Sequence, residues 1–187
     1  MKCIVCGSET TTEALENMPM VGLRRVTLVA VRVRRCGDCG EFEVEIPHHG
    51  ALIELVTRAL VNKGGRLDNA EIRWLRSVMG WSGVELARHM GVTPESVSKW
   101  ERGKMSQGPT ADRLIRLMVA SSWPPEQYPH QAMTLVASDD NAPLVMRLKH
   151  EGQKWLFDGP LPQTLVADPT QHKWVAVRAL EGREAGG

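Results

Sequence analysis

The segment of residues 81–104 constrains the fold of this chain more than any other, and its sequence is WSGVELARHMGVTPESVSKWERGK. Ser82 followed by Glu85 matches a capping box, in which the two side chains satisfy free backbone amides at a helix start. Gly91 can adopt the positive φ at which helices often end. Thr93, followed directly by proline, is typical of a second helix start. The segment therefore predicts two short helices joined by a tight turn.

Two helices joined by a glycine-containing turn form a helix-turn-helix, whose second helix enters the DNA major groove. The segment strongly resembles the Cro/repressor-like (XRE) family, in which a Gly-Val-Thr/Ser turn leads to Val-Ser-Lys-Trp-Glu-Arg-Gly. Here these residues are Gly91, Val92 and Thr93, followed by Val97 to Gly103. One position departs from the family, because Gly83 stands where XRE domains often have a glutamine that contacts DNA. A helical hairpin with no role in DNA binding is the alternative interpretation.

The docking geometry of this motif predicts which side chains face DNA. The first residues of the second helix face base edges, and the same helix face returns one turn later. We expect Glu95 to accept from a cytosine amino group and Lys99 to donate to guanine. Alternatively, Glu95 only stabilises the helix N-terminus, an effect of about 0.3–1 kcal/mol. The predicted groove-facing residues are Pro94, Glu95, Ser96, Ser98 and Lys99, and the predicted phosphate contacts are Thr93, Arg102 and Lys104.

Residues 67–120 are predicted to form one all-α domain around the motif. Asp68 and Glu71 form a second capping box, which predicts a further helix before the motif. Thr110 is expected to cap the last helix. The apolar residues expected on the buried face of that last helix are Leu114, Leu117 and Met118.

The distribution of charge agrees with a DNA-binding role for this domain. The whole chain has 23 Lys and Arg against 22 Asp and Glu. Residues 66–120 alone have nine basic and six acidic residues, a net charge of +3. The positive field therefore lies around the motif. Within it, Trp100 is predicted to be a core residue rather than one that stacks on bases.

All four cysteines lie in the first 46 residues, as two Cys-x-x-Cys pairs. Four thiolates are the ligand set of a closed tetrahedral zinc site, whereas a catalytic metal keeps an open position. A redox-active dithiol is the remaining alternative. The sequence therefore predicts one structural Zn²⁺ in a small β module of residues 1–46. Its predicted ligands are Cys3, Cys6, Cys36 and Cys39.

Two stretches of alternating residues predict the strands of this module. In the first, Val29, Val31 and Val33 alternate with Ala30 and two arginines. In the second, residues 42–46, apolar residues alternate with glutamates. The second cysteine pair would form the turn between them, with arginines facing glutamates on the exposed side.

Residues 47–66 are predicted to be a helical connector that ends at Gly64 and Gly65. His48 and His49 indicate a solvated helix start rather than further metal ligands. The apolar residues at helical spacing are Leu52, Leu55, Val56, Ala59 and Leu60.

Residues 121–187 are a C-terminal extension of unknown role. A proline-rich linker is predicted near Trp123, and a hairpin is predicted from residues 144–148 and 153–157. A third strand, Lys173 to Leu180, would join the hairpin in a small, separate sheet. Residues 181–187 are expected to be disordered. The segment has no metal, phosphate-loop or catalytic-triad signature.

The order of these parts resembles that of YgiT-type zinc finger/helix-turn-helix proteins, similar to the MqsA-like antitoxins. The resemblance covers residues 1–120, including the opening Met-Lys-Cys-x-Val-Cys. It implies a zinc module that binds a protein toxin, and a homodimer that represses its own operon at a palindromic operator on double-stranded DNA.

The predicted fold class is α+β, with a zinc-binding β module, an all-α XRE-type domain and a C-terminal extension with short strands. The predicted function is that of an antitoxin and autorepressor. The alternative is a stand-alone transcription regulator whose C-terminal segment senses a ligand or sets the oligomer. No enzymatic activity is expected, because every cysteine is assigned to the metal. The chain has no membrane-spanning apolar run and no signal-peptide core, so we expect a cytoplasmic protein without a membrane partner.

Overall fold

The computed structural model describes residues 2–121, 143–162 and 165. It has the predicted α+β composition, and the chain divides into two compact units. The sheet unit consists of Met1–Leu55 and Val145–Pro160, and the helical unit consists of Val56–Leu144 and Leu161–Gly187. The predicted linker near Trp123, the predicted strand Lys173 to Leu180 and the tail 181–187 lie outside the described residues.

The sheet unit is built around one long strand. The strands are β1 (Thr11–Met20), β2 (Leu23–Cys36), β3 (Phe42–Glu45), β4 (Met146–Glu151) and β5 (Lys154–Phe157). β2 pairs antiparallel with β1 along most of its length. Its other edge pairs antiparallel with β3 and parallel with β4, which in turn pairs antiparallel with β5. β3 and the turn that holds the second cysteine pair are as predicted, whereas β1 was not predicted.

The predicted facing of arginines and glutamates across β2 and β3 is confirmed. Arg34 pairs in register with Glu43, and their side chains are 3.2 Å apart. Arg32 faces Glu45 in the same way. These pairs are largely solvent-exposed, so each stabilises the sheet by at most about 1 kcal/mol.

A bulge in β2 makes part of the predicted alternation wrong. Ala30 has a φ of +52°, and its backbone amide donates to Asn17 Oδ1 at 3.0 Å. The extra residue shifts the register, so that Leu28 and Val31 are both buried although they are three positions apart. Val29 therefore does not share the buried face of Val31 and Val33 as predicted, and it is only half-buried.

The predicted hairpin in the C-terminal third is present, but it does not belong to a separate sheet. Residues 26–29 of β2 pair with residues 146–149 of β4, so the hairpin extends the sheet of the cysteine module. Burial explains this pairing, because the hairpin contributes large apolar side chains to the core of the sheet unit. The buried residues of that core include Val26, Leu28, Val31, Val33, Met146, Leu148 and Trp155.

Helix α1 (His49–Val61) is the predicted connector helix. All five residues predicted for its apolar face are buried. The helix ends at Val61, earlier than Gly64 and Gly65. The boundary between the two units falls inside this helix, after Leu55.

Four further helices form the helical unit. They are α2 (Asn69–Val78), α3 (Gly83–Met90), α4 (Pro94–Glu101) and α5 (Pro109–Ala120). The caps of α2, α3 and α4 are the predicted ones. Asp68 with Glu71 and Ser82 with Glu85 form complete capping boxes, as predicted. Trp100 is 6% exposed, which confirms it as a core residue.

Helix α5 differs from the prediction in its start and in its buried face. Its N-cap is Gly108, so Thr110 lies inside the helix and does not cap it. The apolar residues that it buries are Ile115, Val119 and Ala120. The predicted face of residues 114, 117 and 118 is only half-buried. The prediction failed because α5 also buries Asp112 and Arg116, and its predicted buried face included only apolar residues.

Two buried ion pairs organise the helical unit. Arg116 and Asp112 are fully buried, and Arg116 Nε lies 2.6 Å from Asp112 Oδ1. The guanidinium also donates to four backbone carbonyls, those of Leu60, Val61, Lys63 and Gly65. Arg116 thereby binds the carbonyls of the last two residues of α1 and of the segment that follows the helix. The second pair joins the buried side chains of Lys63 and Glu71 at 2.7 Å.

Candidate metal centre and nucleic-acid interface

The four predicted metal ligands converge at one point of the sheet unit. The sulfur atoms of Cys3, Cys6, Cys36 and Cys39 all lie within 4.8 Å of one another. Cys3 Sγ is 3.7 Å from Cys39 Sγ, and Cys6 Sγ is 3.5 Å from Cys36 Sγ. In a tetrahedral Zn–S₄ site with bonds of about 2.3 Å, neighbouring sulfurs are about 3.8 Å apart. The cluster therefore fits one tetrahedral metal ion.

The cysteines sit on two turns that the backbone shapes independently of a metal. We call residues 3–7 the first knuckle and residues 36–40 the second knuckle. In the second, Gly40 has a φ of +72°, and its amide donates to Cys36 O at 3.1 Å. Gly37 donates to Thr10 O at 2.8 Å, and a Cβ on Gly37 would lie 2.9 Å from Thr10 Cγ2. Glycine at position 37 thus allows the second knuckle to approach the chain that follows the first.

The four thiols lie close enough to shift one another's pKa values. Backbone amides of Cys39 and Asp38 lower the pKa of Cys36 to about 7. The amide of Glu41 also lowers the pKa of Cys39, but the thiols of Cys6, Cys36 and Cys3 together with burial raise that pKa to about 12. Four adjacent thiols therefore do not ionise together on their own, whereas a divalent cation deprotonates each thiol that it binds.

Helices α3 and α4 form the predicted motif in the helical unit. Gly91 closes α3 in the left-handed conformation, with a φ of +67°. The Thr93 hydroxyl then accepts from the amide of Ser96 and caps α4. On the inner face, Leu86, Val97 and Trp100 are buried. The opposite face of α4 is left to solvent.

The residues predicted to contact DNA lie on this solvent-facing side. An open groove of about 420 Å³ is lined by six of the eight: Pro94, Glu95, Ser98, Lys99, Arg102 and Lys104. The other two, Thr93 and Ser96, make the N-terminal cap of α4. Six of the eight side chains are exposed, and Ser96 and Ser98 are half-buried. The arrangement offers three cations and hydroxyl groups to a ligand along one helix.

Two groove residues already have partners within the chain. The pKa of Glu95 is lowered by hydrogen bonds from its own backbone amide and the Thr93 hydroxyl, and by the charge of Lys99. Arg102 donates to the carbonyl and the hydroxyl of Ser98. Lys99 and Lys104 are therefore the cations that lie most open in the groove.

Gly83, which departs from the family pattern, is not required by packing. A Cβ built on Gly83 would lie 3.9 Å from Val97 Cγ1, which is an ordinary contact. The position directly after the cap of α3 thus has room for a side chain.

Sequence reasoning missed the residue that holds α4 in place. Arg76 on α2 contacts Glu101 at the end of α4, with Nε 2.5 Å from Glu101 Oε1. It also donates to Trp81 O, directly before α3, at 2.6 Å. The hydrogen bond with Glu101 raises the pKa of Arg76. The one available signal was its place beside Ile72 and Leu75 on the apolar face of α2.

Comparison with protein families agrees with this geometry. Residues 72–120 match the model of the family described as Helix-turn-helix. The chain carries an XRE-type helix-turn-helix domain. Such a domain indicates a DNA-binding transcription regulator. No curated protein and no solved structure matched the chain.

Among the described residues, no helix has the length and apolar character that crossing a membrane requires.

Proposed function

We propose that this protein is a cytoplasmic, homodimeric transcription repressor, and that it is the antitoxin of a type II toxin–antitoxin pair. In this proposal the helix-turn-helix domain binds a palindromic operator on double-stranded DNA. The four cysteines hold one structural Zn²⁺, and the module around them binds the toxin. The observation that carries the proposal is the solvent-facing groove on α4, which presents cations beside a capped helix N-terminus.

In the proposed DNA complex, α4 enters the major groove with its N-terminal turn facing the bases. Lys99 lies one turn after the first residues of α4, on the same face, and donates to guanine acceptors. Thr93, Arg102 and Lys104 lie at the ends of α4, where they contact phosphates. In the free protein, the Glu95 carboxylate accepts hydrogen bonds from its own backbone amide and from the Thr93 hydroxyl. To accept from a cytosine amino group, it must give up these hydrogen bonds.

A pair of matched variants tests this assignment. Lys99→Ala should cost about 1–3 kcal/mol of operator binding and relax the preference at one base pair. Lys104→Ala should weaken operator and scrambled DNA alike, and should lower the salt slope by about one. Both variants are titrated against both DNAs at several salt concentrations. If Lys99→Ala behaves like Lys104→Ala, α4 docks differently from this proposal.

The proposed homodimer follows from the small number of base pairs that one helix-turn-helix contacts. Two helix-turn-helix motifs related by two-fold symmetry contact the two halves of an inverted repeat. The half-sites should lie about 34–36 Å apart or a multiple of that distance. Footprinting tests this spacing, and sedimentation of the protein–DNA complex tests its stoichiometry. Binding as a monomer, or to DNA without an inverted repeat, would contradict it.

The toxin-binding role rests on the resemblance to YgiT-type proteins and on the surface of the cysteine module. Ile4 and Val5, at the tip of the first knuckle, are 86% and 64% exposed. Contiguous exposed apolar side chains are typical of interaction surfaces. We expect the protein to co-purify with the product of its adjacent gene, and Ile4→Asp should reduce that association. The stand-alone regulator is the alternative, and it predicts no such complex.

A further inference from the structure

We propose that the four-cysteine cluster is also a site of oxidative modification, at which a hydroperoxide forms disulfides between the two knuckles and displaces the metal. The predicted pairs are Cys3 with Cys39 and Cys6 with Cys36. Release of zinc rests on the proposed function, because it requires that the cysteines hold zinc. Disulfide formation requires only the thiols. The two can therefore fail separately.

The cluster is accessible to a small oxidant. Cys6 and Cys39 are exposed residues, and Cys3 is half-buried. Only Cys36 is buried, at 5% exposure. Metal-bound sulfur carries thiolate character, which is the reactive form toward peroxides. An exposed thiolate cluster is thus open to attack without any unfolding.

The choice of pairs follows two sulfur–sulfur distances within a cluster whose sulfurs all lie within 4.8 Å of one another. These two distances, 3.7 Å for Cys3–Cys39 and 3.5 Å for Cys6–Cys36, each join one knuckle to the other. A disulfide bond is about 2.05 Å long, so each pair must close by roughly 1.5 Å. The second knuckle is joined to Thr10 by the hydrogen bond from Gly37, so a shift of about 1.5 Å between the knuckles closes each pair without breaking a strand.

The reaction balances for each pair with one hydroperoxide. A thiolate sulfur attacks the peroxide oxygen, the O–O bond breaks, and a sulfenic acid and an alkoxide or hydroxide form. The second thiol of the pair attacks the sulfenic sulfur, the S–S bond forms, and water leaves. Two thiols are oxidised by two electrons in total, and the hydroperoxide is reduced to an alcohol and water. Oxidation of both pairs consumes two hydroperoxides and removes every thiolate ligand.

Cross-knuckle pairing has a distinct structural consequence. Two such disulfides replace the cross-links that the metal supplies, so the module stays closed while it loses zinc. Disulfides within each Cys-x-x-Cys pair would instead leave the two knuckles unconnected. Oxidation should therefore be reversible by thiol reductants without refolding of the sheet.

The test uses the full-length protein, zinc-loaded and zinc-free, treated with hydrogen peroxide. Released zinc is followed with a chelating dye, and free thiols are counted. Non-reducing tryptic digestion then distinguishes disulfides between the knuckles from disulfides within a knuckle, because residues 3–24 and 36–58 fall on two separate tryptic peptides. We expect these two peptides to be linked, with one hydrogen mass lost per cysteine and zinc released in step. Dithiothreitol should restore the free thiols and zinc binding.

Matched double variants sharpen the test. Cys6→Ser with Cys36→Ser keeps Cys3 and Cys39, and should still form its disulfide. Cys3→Ser with Cys6→Ser keeps only the second knuckle pair, and should oxidise more slowly. Unlinked peptides with internal disulfides, disulfide-linked dimers, or thiols that resist peroxide in both forms of the wild-type protein would each overturn the proposal. Absence of zinc in the purified protein would contradict the proposed metal alone, since the thiol measurements stand without it.

Discussion

Replacing Arg116 with methionine should destabilise the helical unit more than any other single change at a charged residue there. Arg116→Met keeps much of the side-chain volume but removes a guanidinium that is fully buried. Asp112 then remains buried without its charge partner, although it keeps hydrogen bonds from the Leu67 amide and Gln107 Nε2. The four carbonyls that Arg116 binds, from Leu60 to Gly65, lose a donor as well.

The expected magnitude follows from the burial of the pair. Removing one partner of a buried ion pair costs about 3–5 kcal/mol, because the other charge stays desolvated. Unfolding free energies of whole domains are about 5–15 kcal/mol, so this loss is a large fraction of the total. With an m value of about 2 kcal/mol per molar urea, a loss of about 4 kcal/mol lowers the midpoint by roughly 2 M.

Urea unfolding followed by far-UV circular dichroism measures this loss, since the signal comes mainly from the helices. Arg88→Met is the matched control, because Arg88 is exposed on α3 and should change stability by less than about 0.5 kcal/mol. Adding Asp112→Asn to Arg116→Met removes both charges, and the double variant should recover more than about 1 kcal/mol. A loss below about 1 kcal/mol for Arg116→Met, or no recovery in the double variant, would refute the reasoning.

Three further predictions follow from the two sites. Arg76→Met should lower stability by about 2 kcal/mol and weaken operator binding, because Glu101 and the end of α4 lose their anchor; urea unfolding and DNA titration measure both. Cys36→Ser should abolish stoichiometric zinc in metal analysis while the helical circular dichroism signal stays, since the cysteines and α2–α5 lie in different units. The backbone amide of Ser82 lowers the pKa of Glu85 in the folded state. The stabilisation from this hydrogen bond is therefore fully present above the ordinary carboxyl pKa and is lost as pH falls through the lowered, folded-state pKa. Glu85→Gln should therefore be less stable than wild type at pH 7, with a difference that shrinks in acid-titration melts; a pH-independent difference would contradict this.

The sequence predicted local structure well wherever the signal spans a few residues. A capping box joins residues three positions apart, so Ser82 and Glu85 can be recognised without knowing the fold. The same holds for the cysteine pairs, whose spacing is a property of the metal and not of the sheet. The four sulfurs therefore lie together as predicted.

Features that depend on a distant partner were not predictable in this way. The bulge at Ala30 is bound by Asn17, thirteen residues earlier, and nothing in residues 29–34 indicates it. β1 is an edge strand with mostly exposed residues and lacks the alternation that marks a half-buried strand. Its position depends on pairing with β2, which local patterns do not report.

The buried charges are the clearest failure of local reasoning. Arg116 was counted only as one of the nine basic residues between residues 66 and 120, because its neighbours in sequence gave no reason to bury it. Its carbonyl partners lie 51–56 residues earlier in the chain. Asp112, one turn before it, was the available hint, since an Asp–Arg pair at this spacing faces the same side of a helix.

The ion pairs Arg76–Glu101 and Arg116–Asp112 also change how the net charge of the helical unit is interpreted. Arg76 and Arg116 are neutralised by Glu101 and Asp112, so each pair leaves the net charge unchanged while it removes one cation from the surface. The net charge of +3 over residues 66–120 is then carried by fewer exposed cations. Three of those cations line a single groove on α4, against one carboxylate there. Because interactions between exposed charges are screened beyond about 10 Å, a local concentration attracts phosphates more strongly than the same charge spread over the surface. These two ion pairs thus act on recognition indirectly, since they fix the helices and leave the exposed cations concentrated on the second helix of the motif.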